Sequence, residues 1–412
     1  MKETLLLRSF FAAYQLIWYS VTPFLVRSGR VKEGVAERTL QEVKFSRVDL
    51  WIHAASAGEA YLARQLVKCL GSGKHLDILI TTNTSQGRSI LEKDVDKLDH
   101  RITIVYMVFD NPSLAKKAVR IADPKVLVLI ELEIWPALMA EIKRAGRKII
   151  IVNGRMTEKS FNGYKKVTSL WRHLKPDTIL AISEDDKARF TALFDQPATF
   201  YVANMKFDRM QRCKISIEEK GEYRYLLLAS VRKEEQAEIL YLIEKLLEKF
   251  PDLRVGLFPR HMHWLENWGK LLSEKEIKWV LKSESSRNGE YSVVLGDVFG
   301  ELKKEYRRAD AVFVGGSLAP LGGQNFIEAF MNGAVPVTGP SVSDFLWTGE
   351  EVFEEGLVEK GNSKEEVLQL LIESLENPVD KVSVQQKVDN YILNKQGGSS
   401  ETAKYINALL RA

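Results

Sequence analysis

The chain of 412 residues contains only two cysteines, Cys69 and Cys213, and six histidines. The two thiols sit in different segments with no CxxC or Cys/His cluster, so nothing points to a disulfide framework or a zinc site. A reducing cytoplasm is the simplest compartment for such a chain. An excess of one charge is also lacking: 59 Lys and Arg stand against 55 Asp and Glu, a formal net charge of +4. That mild balance lacks the concentrated basic face of a nucleic-acid binder. Neither the P-loop pattern GxxxxGK[ST] nor a GxGxxG fingerprint occurs. No 20–50-residue repeat or low-complexity tract is visible either. What is present is 45% hydrophobic and 28% charged, the composition of a soluble globular body. The length exceeds one ordinary core and suits two domains of roughly 150–200 residues each.

Long apolar runs are rare, with one exception at the N-terminus. TLLLRSFFAAYQLIWYSVTPFLV, residues 4–26, carries Arg8 as its only charge. As a helix it would be roughly 35 Å long, enough to reach across a bilayer core. Arg8, Tyr14, Trp18 and Tyr19 suit a membrane interface better than a bilayer centre. Arg27, Arg30, Lys32 and Arg38 follow and would favour anionic lipid, with the body on the cytoplasmic side. No small-x-small cleavage site follows the run, so a signal peptide fits poorly. Membrane attachment is therefore expected, either spanning or lying in the interface. The alternative is a helix packed on its own domain.

From Asp49 onward, short apolar runs alternate with longer amphipathic stretches. LWIHAAS, DILITT, RITIVYMV, KVLVLIE, KIIIVNG and TILAIS read as continuous buried strands, as in a parallel sheet covered on both faces. The pattern restarts with RYLLLAS, RVGLFPR, YSVVLGD, DAVFVGG and AVPVTG. A polar stretch between residues 203 and 222 is the expected linker. SSETAKYINALLRA reads as a final helix opened by a Ser cap. Two βα-repeat units imply two doubly wound Rossmann-like α/β domains, with ligands at the carboxyl ends of strands and an active site in the cleft between the domains.

The strand-to-helix junctions carry the candidate chemistry. HAASAGEA places Glu59 after a glycine turn. There it can complement the helix dipole or act as a general base. LIELEIWPA puts Glu131 and Glu133 on one face at the end of an apolar strand, where acids are costly unless solvated, paired or used. VANMKFD places Lys206 near the expected hinge. FPRHMHW places Arg260 and His261 at a strand end, where a guanidinium can meet a phosphate in bidentate fashion. LGDVFGEL offers a second glycine turn at a helix start. FVGGSLAPLGGQNFIEAF, residues 313–330, sets four glycines close together. Asn325 and Glu328 stand at capping-box spacing, or the glycines bring backbone N–H groups to a phosphate or carboxylate.

Taken in order, HAASAGE, TTNTSQG, DPKVLVLIELEIWP, NGRMTEKSF, NMKFD, PRH, GDVFGEL and VGGSLAPLGGQNFIEA resemble the 3-deoxy-D-manno-octulosonic acid (Kdo) transferases of lipopolysaccharide biosynthesis. The resemblance runs from the N-terminal apolar helix to about residue 345. It implies a GT-B glycosyltransferase at the cytoplasmic face of the cell inner membrane, with no cofactor and no metal. The donor it implies is CMP-Kdo, and the acceptor is the tetraacyl disaccharide bisphosphate precursor of lipid A. By motif, Glu59 looks like the catalytic base of an inverting transfer, and Glu131 and Lys206 look like groups that assist the transition state. Pro259 and Arg260, the turn Phe299, Gly300 and Glu301, and Asn325, Phe326, Ile327 and Glu328 look like the CMP site. The expected domains are an N-terminal membrane-associating helix (1–30), an acceptor-binding domain (31–205), a CMP-sugar-binding domain (206–385) and a C-terminal helical segment (386–412). The chain departs from the family pattern at Gln324, where a histidine is usual, at Leu132 between the two glutamates, and at Ala329, where a proline is usual. Rival readings are another GT-B enzyme, such as a UDP-sugar transferase or an epimerase, and a non-catalytic membrane protein that binds phosphorylated lipid.

Overall fold

The computed structural model describes residues 5–27, 31, 33–71, 75–93, 95, 98–195, 197–210, 222–285 and 289–411. Cys213, Arg30, Lys32 and residues 211–221 of the expected linker lie outside the described residues. The chain forms two compact units, Met1–Met210 together with Lys395–Ala412, and Gln211–Asn394. The sequence places a boundary at 205/206 and sets 386–412 apart. In the structure the last residues rejoin the first unit.

Each unit is built on one all-parallel sheet of seven strands. The first holds β1 (Leu50–His53), β2 (Asp77–Thr82), β3 (Arg101–Tyr106), β4 (Val126–Ile130), β5 (Lys148–Gly154), β6 (Thr178–Ala181) and β7 (Ala198–Tyr201), in the order β3-β2-β1-β4-β5-β6-β7. β1 and β4 are entirely buried, which is why they read as continuous apolar runs. The order reverses between β1 and β4, and such a switch point opens a crevice at the carboxyl ends of its strands. The second sheet holds β8 (Arg224–Val231), β9 (Leu253–Pro259), β10 (Trp279–Leu281), β11 (Val293–Leu295), β12 (Ala311–Val314), β13 (Pro336–Thr338) and β14 (Glu359–Lys360), in the order β10-β11-β9-β8-β12-β13-β14. Its switch point lies between β8 and β12.

The N-terminal helix, Leu5–Leu25, packs on the first unit by one face. Leu7 and Phe11 are buried in its core, and the Tyr14 hydroxyl donates to Asp110 Oδ2 at 3.0 Å. Gln15 Nε2 donates to Asn111 Oδ1 at 3.2 Å, and Trp18 meets Phe109 at 5.7 Å between ring centroids. The outer face exposes Leu16, Ile17, Tyr19, Val21 and Phe24. No described helix is long and apolar enough to cross a membrane. Arg38, one of the basic residues expected to favour lipid, turns inward instead: it is 5% exposed and donates from Nη2 to Asn83 O at 2.7 Å.

The final helix, Gly398–Arg411, buries Ala403 and Ile406 among Leu50, Ile52 and Leu66. Its first turn is not closed by a serine. Asp208 accepts from Gly397 N and Ser399 N at 2.6 Å each, so the cap comes from the segment that follows Lys206. The approach is close enough that a Cβ on Gly398 would stand 2.0 Å from Ala203 O.

Candidate functional site

In the first unit, the switch point between β1 and β4 gathers the acids expected from the sequence. The helix Ala57–Cys69 starts directly after β1, with Ser56 as its N-cap. Ser56 Oγ accepts from Glu59 N at 3.3 Å and donates to Glu59 Oε1 at 2.7 Å. Glu59 Oε2 accepts from Ala55 N at 2.8 Å. Both expectations for Glu59 therefore meet in one residue, because it caps its helix and remains a titratable acid. It is only 8% exposed. Burial pushes its carboxyl up to about 7, and the charges of Glu133 and Glu131 add to that, against the hydrogen bonds from Ser56 and Ala55. Gly58 beside it is exposed, with Ser56 Oγ at 3.8 Å as the nearest atom to an added Cβ. The fold itself does not ask for glycine there.

Glu131 follows β4 in a left-handed conformation, φ 60°, that non-glycine residues rarely adopt. Its Oε1 lies 2.7 Å from Lys206 Nζ, so the structure joins two residues 75 positions apart in the chain. Lys206 is held from both sides of its backbone. Met205 N donates to Asn153 Oδ1 at 2.8 Å, and Lys206 N donates to Asn204 Oδ1 at 3.0 Å. Asn153 and Asn204 stand in the NGR and NMKFD blocks, yet nothing in their local pattern announces this buttress.

In the second unit, Pro259 ends β9 in a buried position and Arg260 next to it is exposed. Arg232, at the end of β8, and His261 and His263 lie around it. The His261 pKa is lowered by partial desolvation first, then by the charges of Arg232, Arg260 and His263. This basic edge suits an anion. Phe299 is 87% exposed, Gly300 has φ 84°, and Glu301 leads into the helix Leu302–Arg308.

The glycine stretch behaves differently from the simple expectation. The Glu235 carboxylate is fully buried and accepts from Gly316 N, from Ser317 N and Leu318 N at 2.8 Å each, and from Arg232 N at 3.1 Å. Gly322 N donates to Ser341 Oγ at 2.9 Å, Gly323 N to Gly316 O at 2.8 Å, and Gln324 N to Gly315 O at 2.9 Å. The loop does bring its amides to a carboxylate, but the carboxylate belongs to the protein. Beyond it, Asn325 and Glu328 are exposed, whereas Phe326 and Ile327 turn into the core. Phe326 packs on Phe345 at 5.0 Å and Phe353 at 6.2 Å between centroids. These two positions can offer a ligand only backbone. Asn325 Oδ1 accepts from Ile327 N at 3.2 Å, an Asx turn in place of the capping box.

The 3-deoxy-D-manno-octulosonic-acid transferase (kdotransferase) family model matches residues 26–209. A bifunctional glycosyltransferase/methyltransferase of Fusobacterium nucleatum is 30% identical over 343 residues, which cover 80% of this chain and 52% of that protein. This chain thus spans about half the length of that relative. The 3-deoxy-D-manno-octulosonic acid transferase of Haemophilus influenzae is 28% identical, covering 80% of this chain and 79% of that one. The protein of the same description from Chlamydia trachomatis serovar A is 23% identical, covering 97% of this chain and 94% of that one. Among solved structures, a glycosyltransferase from Rickettsia africae covers 89% of this chain and 100% of that one, with TM-score 0.59 and 11% identity. A UDP-N-acetylglucosamine 2-epimerase covers 88% and 95%, with TM-score 0.54 and 14% identity. At those identities the likeness speaks for the fold alone, the two-domain α/β GT-B fold. The family model over residues 26–209 and the run of similar transferases along most of the chain point the same way: the chain is similar to the 3-deoxy-D-manno-octulosonic acid transferases.

Proposed function

We propose that the chain transfers Kdo from CMP-Kdo to the tetraacyl disaccharide bisphosphate precursor of lipid A, with inversion and without a metal, Glu59 acting as general base. The observation that carries the reading is Glu59 itself. It is a nearly buried carboxyl on a strand-to-helix turn, and burial pushes it up to about 7. A base poised near the working pH accepts a proton most usefully. Glu59 takes the acceptor hydroxyl proton as that oxygen bonds to the anomeric carbon. The bond from that carbon to the phosphate oxygen breaks, and CMP leaves with the electron pair. Negative charge grows on the phosphate as it departs, and fixed positive groups lower that barrier most.

Arg260, the exposed turn at Phe299, Gly300 and Glu301, and the exposed Asn325 and Glu328 form the proposed CMP-binding set. Pro259, Phe326 and Ile327 support it from the core. Lys206, anchored by Glu131, assists the transition state in this reading. The outer face of the helix Leu5–Leu25 supports attachment to the cytoplasmic face of the inner membrane, the helix lying in the interface. A nucleotide-sugar epimerase has likeness of fold alone behind it.

The test is Glu59→Gln, assayed with CMP-Kdo and the lipid precursor, with mass spectrometry counting the sugars added. Transfer is expected to fall by about 10²-fold or more, with CMP binding kept. In the unaltered protein, kcat/KM should rise through about pH 7 and level off above it, because the base works only when deprotonated. Full activity of the variant would remove Glu59 from the role.

A further inference from the structure

Glu133 stands two residues beyond Glu131, and its surroundings are unlike those of a solvated surface acid. Trp135 Nε1 donates to Glu133 Oε2 at 2.9 Å. His53 Nε2 lies 3.5 Å from the same oxygen. His53 is completely buried on β1, and its Nε2 has no closer partner. The other ring nitrogen, Nδ1, is 3.0 Å from Thr81 Oγ1. That hydroxyl already accepts from Trp51 Nε1 at 2.9 Å. An indole N–H can only donate, so the Thr81 proton is free to go elsewhere. Ile52 O is 3.5 Å away, farther than His53 Nδ1. With the Thr81 hydroxyl donating to Nδ1, the neutral ring carries its proton on Nε2, the nitrogen that faces Glu133. The Trp135 ring stands edge-on to His53, with centroids 5.3 Å apart at 90°, which fixes the ring plane. The half-buried Trp135 donates to one carboxylate oxygen, and the buried His53 Nε2 faces the same oxygen at 3.5 Å, at the end of a chain that starts at Trp51.

We infer that Glu133 is a positioning residue for the reaction: held by Trp135 and facing the His53 ring, its carboxylate is fixed at the end of β4, beside the strand β1 whose following turn carries Glu59, and from there it tunes the base. The inference rests on the reading of Glu59 as the base. It gives a purpose to a chain of buried polar groups that the fold could replace with apolar ones. The other groups facing this pair are Glu131, neutralised by Lys206 at 2.7 Å, Tyr164 toward Glu133, and Ser56 on Glu59. Glu133 is thus the acid beside Glu59 that no lysine or arginine offsets among the described ion pairs. Its charge acts on Glu59 in the direction that keeps a proton, as the order of influences there shows.

The experiment reads Glu59 directly, without substrate. Carboxyl ¹³C signals of glutamate-labelled protein are titrated, and the Glu59 signal is identified by its loss in Glu59→Gln. In Glu133→Gln the Glu59 midpoint should fall by roughly half a unit or more, and the acid limb of kcat/KM should move with it. Glu133→Asp, which keeps the charge, should stay nearer the parent value than Glu133→Gln. Trp135→Phe, which keeps the ring and removes the donor, should lower the midpoint in the same direction and serves if Glu133→Gln does not fold. An unchanged midpoint in a folded variant of either kind overturns the inference, since a merely structural role changes stability and leaves the titration alone. If Glu59→Gln keeps full transfer while the midpoint still shifts, the base assignment fails and the coupling stands.

Discussion

Replacing Glu235 with alanine should release the glycine loop after β12. The carboxylate is fully buried, and the amides of Gly316 and Ser317 that point at it are buried as well. Each buried donor left without an acceptor costs about 1–3 kcal/mol, and bonds to a charged acceptor lie toward the upper part of that range. The amides of Leu318 and Arg232 are only partly buried, so water can take over much of their loss. Two orphaned amides at about 2 kcal/mol each give about 4 kcal/mol, a large share of the roughly 5–15 kcal/mol that holds a domain together. For a unit of this size that corresponds to a fall in Tm of about 8–16 °C. Hydrogen exchange by mass spectrometry on the full chain would follow peptides covering residues 313–330, with thermal unfolding read by fluorescence. The parent should protect those amides and Glu235→Ala should lose the protection. Glu235→Gln, which retains one acceptor oxygen, should fall between. If the alanine variant keeps parental protection and its Tm drops by less than about 2 °C, the buried carboxylate does not organise the loop.

Arg260 is exposed, so Arg260→Ala should leave Tm unchanged while CMP affinity measured by calorimetry falls about 10- to 100-fold, the worth of one charged hydrogen bond. Parental affinity would take Arg260 out of the nucleotide site. Leu16→Glu with Phe24→Glu changes only the outer face of the N-terminal helix, where these side chains are 67% and 73% exposed. Sedimentation with anionic vesicles should drop sharply with no loss of Tm, and unchanged sedimentation would show that this face is not the membrane contact.

Much of the fold was legible because buried parallel strands are continuous apolar runs, and β1 to β6 coincide with runs that stand out by eye. β10 and β14 were not legible. They have three and two residues, sit at sheet edges and are only partly buried, so they carry no apolar run long enough to notice. The site was legible in part for the same reason. Glu59 follows a strand in a Ser-x-x-Glu pattern that announces a helix start. Its raised pKa does not show in that pattern, because it comes from burial and from Glu133, 74 positions away. Phe326 and Ile327 look like neighbours of Asn325 and Glu328 in a binding motif, but a short helical turn sends alternate faces to core and solvent.

The sequence by itself determined the two βα-repeat units, the family likeness, the helix at the N-terminus and the positions of the acids and bases at strand ends. These are matters of residue type and local order, which chain neighbours settle. Only the tertiary structure decided which charges meet. It placed Lys206 on Glu131 and returned the last helix to cap itself on Asp208, and it showed which face of the first helix is left open. It also decided the fate of the four glycines. Gly316, Gly322 and Gly323 take positive φ, and Gly315 lies so close to β8 that a Cβ would stand 2.6 Å from Val231 Cα. Their amides serve the protein's own hydrogen bonds, Gly316 reaching Glu235. A stretch of sequence shows that its backbone is free to approach something. What it approaches depends on a side chain 81 residues away in the chain, brought near by the pairing of β8 with β12.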